Sequence, residues 1–252
     1  MRPIHRLAAA GLLAAGIHAP ASAVIVTVFD DFDGGAANFD ATVTGAGGTV
    51  ATDVWSTAFS GASVDRGAYT ITRNNGATVT TRTYTLSGST PSRTMSGQGI
   101  NINPSGGAGL AAIGSGVSLA FDAPVNSIGF EVGDWGTCCR PSALDFSFDG
   151  GAPIQVGVSR TAGDVYLTNG GAGVFVAALD DSGSFSRVQF WGDGSGELLV
   201  FGGTIRYANV GRGSLPVGDV PLPGTMALLG LGLAGAGLRV GAMKRRRSDR
   251  GA

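Results

Sequence analysis

Any chemistry in this chain has to come from carboxylates, hydroxyls and one pair of cysteines, because histidine is nearly missing. His5 and His18 are the only two, and both lie within the first 23 residues. Beyond them there is no Ser-His-Asp or Cys-His nucleophile and no His-ligated zinc or iron. The only glutamates are Glu131 and Glu197, so acid–base work would rest on these two and on aspartates. A glycosidase could use such a pair, but solvent-facing strand positions account for both residues. Asp193, Ser195 and Glu197 in Asp193-Gly194-Ser195-Gly196-Glu197 space oxygen ligands as calcium loops do, as does Asp30-Asp31-x-Asp33. Neither is a full EF-hand loop, and Asp-Gly runs also make plain turns. The expectation is a protein with no catalytic residues and no obligatory cofactor, in which Ca²⁺ is the ion these spacings would admit.

Cys138 and Cys139 are adjacent and are the only cysteines. Neighbouring Cα atoms lie ~3.8 Å apart across a trans peptide, below the usual disulfide range. In an oxidising compartment the choices are a vicinal disulfide, a cross-link between chains, or two thiols; the first is favoured here. Trp135 stands in the same turn, between two expected strands, at one end of the expected fold. A flat aromatic ring in a loop can stack on a sugar, and burial in the core is the competing reading. Trp191, at a strand end, reads as core.

The elements that must position these residues read as strands. From residue 24 to 219 there are 17 acidic residues against 9 arginines and no lysine, a net charge of −8. Such a domain repels nucleic acid and stays soluble outside the cytoplasm. Gly is abundant, at 44 in the chain, and no sustained 3.6-residue period stands out between the termini. Period-2 runs separated by turn residues argue an all-β fold over residues 24–209, an antiparallel, jelly-roll-like β-sandwich. Expected strands cover residues 24–29, 69–73, 78–86, 117–121, 127–133, 144–148, 154–158, 165–167, 174–179, 185–191, 198–201 and 204–207. Asn74-Asn75-Gly76 reads as the turn of a hairpin, and Asp122-Ala123-Pro124 as the link of a second one. Ile128, Phe130 and Val132 should face the core, with Glu131 outward. Residues 30–35 read as an acidic turn, 39–59 as apolar pieces without a register, 87–109 as a loop, and 210–219 as a linker.

Both termini carry an address. Arg2 and Arg6 precede an apolar stretch over residues 7–17, and Ala21-Ser22-Ala23 makes an A-x-A site. This is the pattern of a secretory signal over residues 1–23, cut by signal peptidase between Ala23 and Val24. Near the other end come Val220-Pro221-Leu222-Pro223, an apolar run over residues 226–243 interrupted by Arg239, and Lys244-Arg245-Arg246-Arg247. At ~1.5 Å per residue the run makes a helix of roughly 27 Å, enough for a thin crossing. Arg239 lies about one turn from the basic cluster and can snorkel toward it. The cluster should stay cytoplasmic, which places everything before Pro223 outside. Residues 248–252 form a short tail.

Together these residues resemble the PEP-CTERM sorting signal, a C-terminal tag read by an exosortase. The likeness covers residues 220–247 and departs at Leu222, where the family most often has Glu. It implies an exported protein held briefly in the inner membrane of a Gram-negative bacterium and then processed. The implied destination is the cell surface or an exopolysaccharide matrix or biofilm, and the implied role is non-enzymatic, with polysaccharide as a partner. A permanent single-pass anchor is one alternative. Sortase attachment is another, since Leu222-Pro223-Gly224-Thr225 fits four-fifths of LPxTG, with Met226 in the fifth place. For the exported part, a carbohydrate-binding module using the Trp135 loop and a carboxylate-based hydrolase remain alongside.

Overall fold

The computed structural model describes residues 25–29, 32–86, 93–102, 109–135, 141–160, 173–192 and 199–215. Two antiparallel sheets account for nearly all of it. The first runs β1 (Ile25–Phe29), β12 (Val174–Leu179), β9 (Ser127–Gly133), β14 (Leu199–Ala208), β7 (Arg93–Ile102), β6 (Val79–Leu86) and β3 (Ser60–Gly61), with β2 (Ala51–Val54) also on β14. The second runs β11 (Ile154–Ser159), β10 (Ser142–Phe148), β13 (Phe185–Gly192), β8 (Val117–Val125), β5 (Tyr69–Arg73) and β4 (Ser63–Asp65).

The sheets pack face to face through phenylalanines that alternate along their strands. Phe130 of β9 meets Phe146 of β10 at 5.4 Å and Phe190 of β13 at 5.0 Å between ring centres. Phe201 of β14 meets Phe190 at 5.5 Å. Tilted and edge-on rings at this spacing fill the space and add favourable quadrupole contacts. As expected, Ile128, Phe130 and Val132 all face this core.

A helix that the sequence reading missed covers the other face of the first sheet. α1 (Phe32–Gly45) replaces the expected turn and apolar pieces. Its buried residues, Phe32, Gly35, Ala36, Phe39 and Val43, do follow a helical stripe. Gly35 and Ala36 thin that stripe, and β-branched Thr42, Val43 and Thr44 are weak helix formers. The chain leaves the helix through Gly47, whose φ of 77° suits glycine. Phe39 sits 6.1 Å from Phe175 of β12, directly over Gly129 of β9. A Cβ on Gly129 would already lie 2.6 Å from the Phe175 ring. Because the helix covers this face, β9 and β12 are buried at every position instead of alternating.

Both expected hairpins are crossings between sheets. β5 pairs with β4 and β8 in the second sheet, whereas β6 pairs with β3 and β7 in the first. Asn74-Asn75-Gly76 is a tight turn, with Gly76 at φ 75°, but it carries the chain from one layer to the other. Likewise β8 lies in the second sheet and β9 in the first, so Asp122-Ala123-Pro124 leads to a corner at Asn126. The expected loop over residues 87–109 contains the ten-residue strand β7. The strands expected at 198–201 and 204–207 form one strand, β14, with an irregularity inside it. Residues 210–215, expected as linker, pack on the domain, where Val210 and Leu215 are buried beside α1. Among the described residues no helix is long and apolar enough to cross a membrane. The expected signal segment, the strand at 165–167 and the sorting helix at 226–243 lie outside them.

The helix–sheet contact predicts its own test. Phe39→Ala removes a ring 1% exposed and should cost about 3–5 kcal/mol. The check is a fall in the denaturant midpoint with the m-value unchanged.

Candidate functional site

Two polar networks and one groove are grouped around β14, and a break in that strand positions them. Gly202 (φ 140°) and Gly203 (φ 69°) interrupt its extended path. On β9 the partner changes from Glu131, opposite Gly202, to Gly129, opposite Arg206, so four steps of β14 match two of β9. On its other edge β14 pairs with β7 before the break and with β2 after it. Trp55 enters the gap. Its backbone N donates to Gly203 O at 3.0 Å, and its backbone O accepts from Gln98 N at 2.7 Å.

Glu131 projects to the outer face of the first sheet, as the alternation required, but it is not at the surface. It is 3% exposed and lies over Gly203, where a Cβ would fall 2.1 Å from Oε2. Ser96 N donates to Oε2 at 2.9 Å, Ser96 Oγ donates to Oε1, and Thr204 Oγ1 shares a hydrogen bond with Ser96 Oγ. The α1 layer over this face and Ser96 of the neighbouring β7 turn an expected solvent position into a buried one. Burial pushes the Glu131 carboxyl up, against the lowering pull of the Ser96 hydrogen bonds and the Arg206 charge. Glu197 lies outside the described residues, so the carboxylate pair is not assembled here.

On the inner side of the break, Trp55 Nε1 donates to Tyr69 Oη at 2.9 Å, and Tyr69 Oη donates to Asp53 Oδ2 at 2.6 Å. Arg66 donates to both Asp53 oxygens, at 2.9 and 2.6 Å. Burial would raise the Asp53 carboxyl, but the hydrogen bonds from Arg66 and Tyr69 outweigh it and hold it lowered. This chain of bonds fixes the Tyr69 ring, which stands 6.0 Å from Tyr207 and 5.4 Å from Phe121.

Tyr207 and Phe121 help line a groove of about 290 Å³. Ala51, Ala68 and Ala123 keep it open, and Asp122, Asn209 and Thr49 supply its polar rim. Tyr207 is half-buried, packed against two other rings, and lines the groove. A braced aromatic face with a carboxylate and an amide beside it can stack on a ring and bond its hydroxyls.

Trp135 does not offer such a face. It is 1% exposed, and its Nε1 donates to Ser142 O at 2.9 Å inside the core. The expected ligand residue is a core residue, since its large apolar ring gains more from burial and its one donor finds a carbonyl there. Trp55 and Trp191 are buried too, the latter as expected. Cys138, Cys139, Asp193, Ser195, Asp30 and Asp31 lie outside the described residues, and Asp33 stands in the first turn of α1. Among the described residues no cluster of three acids, cysteines or histidines could hold a metal. The groove was missed because Ala51 of β2 and Tyr207 of β14 meet the end of β8 there, and the sequence does not show β2 and β14 to be paired.

Residues 219–247 match the PEP-CTERM protein-sorting motif. The match spans Val220-Pro221-Leu222-Pro223 and reaches Arg247, as the sequence resemblance did, and tolerates Leu222. PEP-CTERM motifs mark exported proteins sorted by an exosortase, and the match points to export of this chain. No curated protein matches the chain. Two solved structures resemble its fold, both single-residue mutants of CBM29-2, a family 29 carbohydrate-binding module. They are 14% and 13% identical, cover 65% and 68% of this chain and 95% and 99% of their own, and each has a TM-score of 0.33. A likeness this distant does not say what the present chain binds.

Glu131 yields a pH prediction. Its folded pKa is raised, so its contribution to stability is complete below the unfolded value and is lost as pH rises through the folded one. Glu131→Gln keeps the shape without the charge. It should raise Tm relative to the unaltered chain at pH 7, with the gain vanishing near pH 4. A constant difference across thermal scans at several pH values would oppose this account.

Proposed function

We propose that the chain is an exported surface or matrix protein, without catalytic activity, delivered by an exosortase that reads residues 220–247. The match to the PEP-CTERM motif carries this reading. The N-terminal Arg2, Arg6 and Ala21-Ser22-Ala23 pattern agrees with export through an inner membrane. In this reading the jelly-roll-like sandwich is the cargo, and the helix at 226–243 is a temporary anchor. That run is a poor permanent one, being short, rich in glycine and carrying Arg239. Prolines 221 and 223 hold the approach extended, with backbone groups open to an enzyme. The expected setting is the envelope of a Gram-negative bacterium, with signal peptidase and exosortase as partners. Mass spectrometry of the surface or medium fraction should find a chain that begins at Val24 and lacks the peptide 226–238. Retention of that peptide on all of the mature protein would leave a plain anchor instead.

Saccharide binding is a second reading, moved from Trp135 to the groove. Its support is the braced, half-buried Tyr207 ring beside Asp122 and Asn209. A neutral sugar ring suits a site with a single carboxylate and no cation among its lining residues. Tyr207→Ala should weaken binding of a neutral glycan by about tenfold or more, the scale of a lost stacking contact, while Tyr207→Phe keeps most of it. Isothermal titration against neutral oligosaccharides is the measurement, and equal affinity for Tyr207→Ala would remove the groove as the site.

A further inference from the structure

After β14 the chain does not run free toward the sorting motif. Asn126, 6% exposed at the corner between β8 and β9, holds Val210 from both sides. Its Nδ2 donates to Val210 O at 2.9 Å, and its Oδ1 accepts from Val210 N at 2.8 Å. Asp181 holds the next turn: Gly213 N donates to its backbone O at 3.0 Å, and Leu215 N to its Oδ2 at 2.9 Å. Val210 and Leu215 are buried with Phe39, Val43 and Ala208. The corner is itself fixed, since Asn126 N donates to Ala208 O and Asp180 N to Asn126 O. Residues 210–215 are therefore a docked strap, and the matched motif begins at residue 219.

We infer that this strap sets the reach of the sorting motif. While anchored, the protein then presents the end of the sandwich built from Asn126, Asp181 and the strap to the membrane enzyme that reads the motif. The inference rests on the sorting reading above. From Leu215 to Pro221 there are six residues, which span at most about 20 Å. A fold of this size has a radius of gyration of roughly 16 Å, so its far end cannot turn toward the bilayer while the strap holds. Released from Ala208 onward, the same tether would be thirteen residues and about 45 Å. Docking more than halves the reach and fixes one orientation. The groove shares Ala208 and Asn209 with the root of the strap, so its mouth belongs to the membrane-facing end until the anchor is cut.

Pulse–chase of the full chain in its own host, read by mass as the fraction that has lost residues 226–238, tests this. Deleting Pro216, Val217 and Gly218 leaves a reach of about 10 Å. That should slow processing by about tenfold or more, because a tether too short to span leaves almost no effective concentration. In the shortened chain, six Gly/Ser residues inserted after Leu215 should restore the rate. So should Asn126→Ala, or Leu215→Asp at the far end of the strap, by releasing it. A deletion with no effect overturns the inference. So does restoration by the insertion but by neither release variant. If the unaltered chain keeps residues 226–238, the sorting reading fails and takes this inference with it.

Discussion

The break in β14 is the constraint on which the rest of the described fold depends. On one edge β14 pairs with β7 up to Gly202 and with β2 from Thr204, and the positive-φ Gly202 and Gly203 stand where the partner changes. The space opened on the inner side takes the Trp55 ring, where a Cβ on Gly202 would fall 2.5 Å from it. The space on the outer side takes the Glu131 carboxylate against Gly203. Each glycine is fixed both by its positive φ and by what lies against it. From Trp55 the order passes through Tyr69 to Asp53 and Arg66, and so to the groove. From Glu131 it passes through Ser96 to Thr204 and back into β14. One irregularity thus organises both polar networks.

Much of the strand inventory was legible in the sequence, because period-2 alternation is local. Tyr69–Arg73, Ser127–Gly133 and Val174–Leu179 all appear where the pattern placed them. Partners were not legible. Asn74-Asn75-Gly76 supplies turn chemistry, but a turn fixes only a change of direction and says nothing about which sheet receives the next strand. The helix was hidden for another reason. Its apolar stripe includes Gly35 and Ala36, so the signal is a gap that lets the helix approach rather than a row of large side chains. The one clear hint lay in its target: the Val174–Leu179 run is apolar throughout, and a strand without alternation has both faces covered.

The tryptophans teach the same lesson about the site. Loop position suggested exposure for Trp135, yet the ring and its one donor are satisfied inside the core. The ring that does line a groove is Tyr207, near the end of a strand whose companion β2 is remote in sequence, with Ala51 opposite Tyr207. Its hydroxyl-bearing neighbour Tyr69 is held by Asp53, which lies on that same β2. A site assembled from pairing between remote segments leaves no local motif to read. The motif that was legible, Val220-Pro221-Leu222-Pro223, is short and contiguous, so it can be read from local sequence alone.

The strap connects these two kinds of information. Its sequence, Val210-Gly211-Arg212-Gly213-Ser214-Leu215, has the glycine content of a linker, and composition alone makes it flexible. Docking depends instead on two residues elsewhere, Asn126 and Asp181, each aligned with backbone groups of the strap. Asn126 could reach Val210 only because β8 and β9 lie in different sheets and the chain turns a corner between them. A hairpin at Asp122-Ala123-Pro124 would have pointed that amide elsewhere. The inter-sheet crossing that sequence reading took for a hairpin is therefore what lets Asn126 hold Val210 on the folded domain. That Leu215, four residues before the matched motif, is held on the domain is likewise a property of the fold, set by its hydrogen bond to Asp181.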